Sequence, residues 1–248
     1  MKKVLPPRLR MFLQPIIEPR FARIVACEAV VRLSGKDVDN VTQEIFFPIA
    51  EKAGLTSTLS KWRFEEICKT TKRLIDNQVN FSYISFDVMQ KTLRRKTYVS
   101  ELLYYISEYN ISPKRLCLEI REDYFAVDYN NIIERIEELK KEGFKVAVDN
   151  YSGVNVDLSK LDVIPLDIIK VSKTIVDRLS FDAKAIERLS AIVKTAEGLG
   201  IHVQAEGVEK KEQQLVLMDH GCNYMQGNLY GDLTTASALL KKSAALKA

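Results

Sequence analysis

Two rhythms of apolar and polar positions alternate along this chain. Stretches rich in β-branched and apolar residues, Arg10 to Ile17 and Arg23 to Leu33, predict two strands joined by a turn over Glu18 to Ala22. A helical rhythm follows. It predicts one helix over Gln43 to Ala53, stopped by Gly54, and a longer one over Ser57 to Asn77, where Leu59, Trp62, Ile67, Leu74 and Ile75 recur at helical spacing. From there strands and helices take turns. Strands are expected over Phe81 to Asp87, Arg115 to Arg121, Phe144 to Asp149, Leu166 to Val171, Ile201 to Glu206 and Asn223 to Gln226. Helices are expected near Tyr98 to Tyr109, Asn130 to Glu142, Ala183 to Leu199 and Lys211 to Asp219.

Strands that alternate with helices imply a mainly parallel sheet, because parallel neighbours need a crossover between them. The pattern leaves two architectures open, a doubly wound sheet and a closed (β/α)8 barrel. No linker or repeat divides the sequence, so residues 1–248 are expected to form one domain. Chemistry gathers near the ends of several strands, as Asp87, Glu119, Asp149, Lys170 and Glu206. In a barrel those ends meet at one rim, where carboxylates from separate strands suit a hard cation such as Mg²⁺ or Mn²⁺.

Composition narrows the function classes. The 248 residues carry 37 Lys and Arg against 33 Asp and Glu, a formal charge of +4, so neither nucleic acid nor an anionic membrane is implied as a partner. Cys27, Cys68, Cys117 and Cys222 show no paired spacing and read as reduced, mostly buried thiols of a cytoplasmic protein. No apolar run reaches the roughly 18 residues of a membrane span. His202 and His220 are the only histidines, too few for a multi-histidine zinc site or a His-dependent triad.

Six short blocks then fall in a telling order: Gln14-Pro15-Ile16; Glu28-Ala29-Val30 with Arg32; Phe47-Pro48-Ile49-Ala50-Glu51 with Gly54, Leu55 and Trp62; Leu118-Glu119-Ile120-Arg121-Glu122; Ala205-Glu206-Gly207-Val208-Glu209; and Gly221-Cys222-Asn223 with Gln226-Gly227. Each alone is weak. Together they resemble the EAL domain family, which hydrolyses or binds the bacterial second messenger cyclic di-GMP. The resemblance implies a TIM-like (β/α)8 barrel with an antiparallel first strand and a site for two divalent ions, Mg²⁺ or Mn²⁺. It implies Glu28, Glu119 and Asp149 as metal ligands, Lys170 as the group that helps hold the attacking water, and Glu206 as general base. Gln14, Arg32 and Gln226 would meet the ligand, and Glu122 would anchor the loop after the fifth strand. A homodimer and a protein partner are compatible with it.

The chain departs from the family pattern where metals should sit. The N-x-S motif aligns with Ser85, Phe86 and Asp87, which puts Ser85 where an asparagine ligand belongs. D-D-F-G-T-G aligns with Asp149 to Val154, so its second aspartate is Asn150, and K-I-D has become Lys170, Val171 and Ser172. Ser85 and Asn150 are expected to be poor ligands, which implies weakened or absent metal. Asp87 shares a strand face with Ser85, but a shift of two residues moves the group by about 6 to 7 Å, so it is expected as a solvated charge or a cap, with a replacement oxygen the lesser alternative. With Ser152 and Val154 in place of glycines, the loop over Asn150 to Asp157 is expected to take a different course, unless Gly153 and Asn155 compensate. The expectation is a catalytically impaired module that binds cyclic di-GMP or a protein; the alternative is a Mg²⁺- or Mn²⁺-dependent phosphodiesterase that yields linear pGpG.

Overall fold

The computed structural model describes residues 9–33 and 41–245, with side chains as far as residue 241. Eight strands close into a barrel: β1 (Leu9–Glu18), β2 (Arg23–Leu33), β3 (Ile84–Asp87), β4 (Leu116–Arg121), β5 (Lys145–Tyr151), β6 (Ile168–Val171), β7 (His202–Ala205) and β8 (Tyr224–Met225). Of the two open architectures, the closed one is found. β1 runs antiparallel to both β2 and β8, and every other pairing is parallel. The reason lies in the connections. Only a single turn at Pro19–Phe21, ended by Ala22 at φ 49°, separates β1 from β2, which is too short for a crossover. All later strands are separated by helical segments long enough to return the chain to the same end of the sheet.

Because both faces of a parallel sheet are covered, β4 and β6 are buried along almost their whole length. Their outward residues, with Ile84, Phe86, Val146 and Val148, pack against helix residues such as Ile67, Leu102, Ile136 and Leu189 in the main core. The inward residues form a second, smaller apolar layer of Ile16, Ala26, Tyr83, Cys117, Ala147 and Ile168. The strand period of two then dictates what lies above it. Two residues nearer the C-terminal rim, about 6 to 7 Å along each parallel strand, stand Glu28, Ser85, Glu119, Asp149 and Lys170, with Gln14 on the reversed β1. The fold thus places a ring of polar groups on an apolar floor.

Helices Gln43–Lys52, Thr56–Asp76, Tyr98–Glu108, Ala183–Leu199 and Lys211–Asp219 lie within one or two residues of their expected bounds. The helix expected from Asn130 begins instead at Glu122 and crosses a break at Asp128, with φ −157° and ψ 55°. The Asp128 side chain accepts from Asn131 Nδ2 at 2.6 Å and meets Arg94 at 2.7 Å, so the break is held by local polar contacts that the apolar rhythm does not record. Short helices at Gln90–Leu93 and Lys173–Val176, and a last one at Ala236–Ala245, were not anticipated. Among the described residues no helix is long and apolar enough to cross a membrane.

Candidate metal and phosphodiester site

Lys170 sits at the centre of the ring, 1% exposed. Its Nζ lies 2.7 Å from Glu206, 2.8 Å from Glu119, 3.2 Å from Asp149 and 3.4 Å from Glu28. Five residues from β2, β4, β5, β6 and the end of β7 are therefore brought together by one ammonium. Burial opposes the lysine's charge, yet the four carboxylates outweigh it and hold its pKa well above the ordinary lysine value. Burial conversely lifts Glu119 and Glu206 well above the usual carboxylate range, with Lys170 pulling the other way. One positive charge does not balance four negative ones.

A second grouping lies beside the lysine. Oxygen atoms of Glu28, Asp87 and Glu119 all come within 4.8 Å of one another. Asp87 is opposite Glu119 in the β3–β4 ladder, and Ser85, opposite Cys117 there, is opposite Glu28 in the β2–β3 ladder. The Ser85 hydroxyl is buried without a hydrogen-bond partner, and Asp87, two residues further along the strand, brings its carboxylate to Glu28 and Glu119 at the mouth. The strand thus presents two polar residues on successive inward positions, Ser85 and Asp87.

Asn150 follows Asp149 near the end of β5. It is exposed, at φ 52°, at the irregularity where β5 loses register with β6 between Val148 and Tyr151. Such a bulge turns one side chain away from the alternating pattern, and asparagine is among the few residues that tolerate the left-handed backbone it needs. Asp149, just before it, stays inward on Lys170.

The donor set suits a hard divalent cation. Three carboxylates offer oxygen alone, and neither Glu119 oxygen accepts a well-aligned hydrogen bond despite its closeness to Lys170. Burial, followed by repulsion from Asp149 and Glu28, raises Asp87 to about 7. A cation would relieve that repulsion. The cluster is nevertheless incomplete, since Mg²⁺ takes about six oxygen ligands and three side chains leave the remainder to water or ligand.

Next to this cluster opens a groove of about 250 Å³ walled by Gln14, Glu28, Arg32, Gln43, Lys173, Glu206 and Gln226 among others. Gln226 is buried, and its amide donates to Gln14 at 2.9 Å and to Glu28 at 2.6 Å, while its carbonyl accepts from Gln204 at 2.8 Å. Gln226 thereby fixes both neighbours. Gly227 closes the groove where no side chain fits, since a Cβ there would lie 2.2 Å from the Val208 carbonyl oxygen. A larger cavity of about 560 Å³ opens at the opposite end beside Phe21, His202, His220 and Tyr224, away from the ring.

Glu122 begins the helix after β4, buried, and its carboxylate accepts four hydrogen bonds from the following loop. The donors are the Ser152 amide at 2.9 Å, the Ser152 hydroxyl at 2.8 Å, and the Asn155 and Val156 amides, both at 3.1 Å. Gly153 supplies the left-handed turn at φ 72°, against the Arg188 guanidinium, which donates to the Ser152 carbonyl. Gly153 and Asn155 thus both take part in the turn and its contacts.

The EAL domain profile matches residues 5–232, nearly the whole of this barrel and all of its polar ring. The chain belongs to the EAL domain family. It is 25% identical over 233 residues to MucR of Pseudomonas aeruginosa, a bifunctional diguanylate cyclase/cyclic di-GMP phosphodiesterase, covering 94% of this chain and 34% of that one. It is 24% identical over 220 residues to the signaling protein YkoW of Bacillus subtilis, covering 89% and 27%. This EAL chain thus spans about a quarter to a third of the length of these curated relatives. A solved structure of the MucR phosphodiesterase in complex with cyclic di-GMP superposes with a TM-score of 0.88 at 25% identity, over 94% of each chain. The EAL fold is a cyclic di-GMP phosphodiesterase-like barrel, here with a partial ligand cluster.

Proposed function

We propose that this EAL domain is a Mg²⁺- or Mn²⁺-dependent phosphodiesterase that opens cyclic di-GMP to linear pGpG. The observation that carries the reading is the meeting of Glu28, Asp87 and Glu119 within 4.8 Å beside a groove that also presents Arg32. It is supported by the likeness to MucR, whose phosphodiesterase has been solved with cyclic di-GMP. Asp87, on the same strand as Ser85, supports it further by offering the cluster a carboxylate oxygen.

Glu28, Asp87 and Glu119 would hold the cation, which supplies charge neutralisation at the phosphodiester and a more acidic water. Arg32 contacts a phosphate oxygen by a charge-assisted bond, and Gln14, fixed by Gln226, presents an amide to the nucleotide. Lys170 and Asp149 orient the attacking water. Glu206, whose pKa burial raises well above the usual carboxylate range, takes its proton at Oε1 or Oε2 as the oxygen adds to phosphorus and one P–O bond to ribose breaks. The ribose oxygen that leaves takes up a proton from solvent, so that one water is added per ring opened.

A second reading follows from Asn150. The mouth has one acidic group fewer than the family pattern, which favours a module that holds cyclic di-GMP and cuts it slowly or not at all. Incubation with cyclic di-GMP and Mn²⁺, with pGpG followed by chromatography and binding measured in the same samples, separates the two. Turnover abolished by Glu28→Ala is the expected result. Binding without turnover would move the assignment to the second reading.

A further inference from the structure

Asp87 does not stand alone at the end of β3. We infer that Arg63 and Gln43 are positioning residues that fix Asp87 as an oxygen donor of the cation cluster and offset the charge it brings, an inference that rests on reading the mouth as a cation site. Arg63 lies mid-way along the helix Thr56–Asp76, on the face that also buries Leu59, Phe64 and Ile67, and is itself 3% exposed. An arginine there is costly unless something compensates for its lost hydration. Two things do. Its guanidinium lies 4.9 Å from the Phe47 ring centroid and 5.9 Å from that of Phe86, and its Nη2 donates to the Asp87 backbone carbonyl. Nη1 is buried without a hydrogen-bond partner, so the bonds made do not by themselves explain why a cation is kept.

Gln43 completes the arrangement from another element. It opens the helix Gln43–Lys52 and is 3% exposed. Its Oε1 accepts from the Val31 amide of β2 at 3.2 Å, which sets the direction of the amide group; its Nε2 then donates to Asp87 Oδ2. One end of Asp87 is thus pinned through its backbone by Arg63, and the carboxylate plane is fixed by Gln43. A carboxylate has two oxygens. Holding one in this way leaves the group a single orientation from which to share an ion with Glu28 and Glu119, and partners of this kind hold ligands in place in metal sites generally.

The alternative is that Arg63 and Gln43 only pack the helices. Mn²⁺ titration of the full chain by calorimetry at pH 7.5 distinguishes them, on wild type, Arg63→Met, Arg63→Lys, Gln43→Leu, Asp87→Asn and the double variant Arg63→Met with Asp87→Asn. Arg63→Met and Gln43→Leu are expected to weaken Mn²⁺ binding about 10- to 100-fold, with Arg63→Lys between them and wild type. Adding Arg63→Met to Asp87→Asn should weaken binding by less than about threefold further, because the partner charge has already gone. In metal-free melts the double variant should have a higher Tm than Arg63→Met alone. If Arg63→Met does not fold, Arg63→Lys and Gln43→Leu carry the test. Binding by both that matches wild type, while Glu119→Gln loses it, overturns the positioning roles and leaves the cation site standing. Absence of Mn²⁺ binding in wild type overturns both.

Discussion

The two sides of the barrel mouth are built differently. On the β2–β3–β4 side, Glu28, Asp87 and Glu119 converge, and Asp87 is braced from behind by Gln43 and Arg63. On the β5 side, Asp149 is engaged by Lys170, and the residue after it, Asn150, turns to solvent on a bulge. The same strand period serves both. What differs is that buried Gln43 and Arg63 stand behind Asp87, whereas Asp149 faces Lys170. The inward polar groups can therefore differ from strand to strand without disturbing the closed sheet that carries them.

The largest effect should come from the group that links the two sides. Lys170→Met leaves Glu28, Glu119, Asp149 and Glu206 facing one another, and a loss of about 3 to 5 kcal/mol is expected at neutral pH, as when one partner is removed from a buried ion pair. Denaturant unfolding with and without Mn²⁺ checks it: the metal should restore part of the loss. An unchanged midpoint would mean that the two sides are not coupled through Lys170.

Next in size is Glu119→Gln, which keeps shape and removes a shared charge. Mn²⁺ affinity should fall about a hundredfold, equivalent to about 2.7 kcal/mol. The pH dependence follows from the same side. Asp87 titrates at about 7 in the folded chain against 3.8 as its ordinary value, so the folded state binds the extra proton between those limits. Stability of the metal-free protein relative to Asp87→Asn should then be greatest near pH 4 and decline as pH rises through 7. Mn²⁺ affinity should rise over the same interval, because the ion must displace that proton. Melting curves from pH 5 to 8, in chelator and in Mn²⁺, read both slopes; parallel slopes would contradict the assignment of Asp87.

The smallest effects belong to the positions that the sequence made prominent. Asn150→Asp adds an exposed charge, worth no more than about 1 kcal/mol, so Mn²⁺ affinity should rise less than about fivefold. Ser85→Ala removes a hydroxyl that already lacks a partner and should change stability by less than about 1 kcal/mol, with Mn²⁺ binding unaffected. A large loss on Ser85→Ala would return Ser85 to the ligand set and break the contrast between the two sides.

How much of this could be read from residues alone follows from the range of the forces involved. The strand and helix rhythm is local, and Arg23 to Leu33, Ala183 to Leu199 and Lys211 to Asp219 were legible to the residue. Glu28, Glu119, Asp149, Lys170 and Glu206 were legible as a set because inward positions recur at strand ends. Glu122 was legible through the likeness to its family, and the structure gives it four loop donors. Asp87 is less legible than Ser85, since one strand offers two inward polar residues and ladder register is a tertiary property. Arg63 and Gln43 left no signal of function. A charged residue on a helix reads as solvated until the neighbouring helix and strand are known to cover it, although an arginine interrupting the apolar face of Leu59, Phe64 and Ile67 was a detectable irregularity.

The central claim, that the mouth holds a divalent cation on its β2–β3–β4 side, is tested most directly by anomalous diffraction from crystals grown with Mn²⁺. A peak within coordination distance of Glu28, Asp87 and Glu119 is expected. A peak bound instead by Asp149 without Asp87, or none at the mouth at saturating Mn²⁺, would contradict the account.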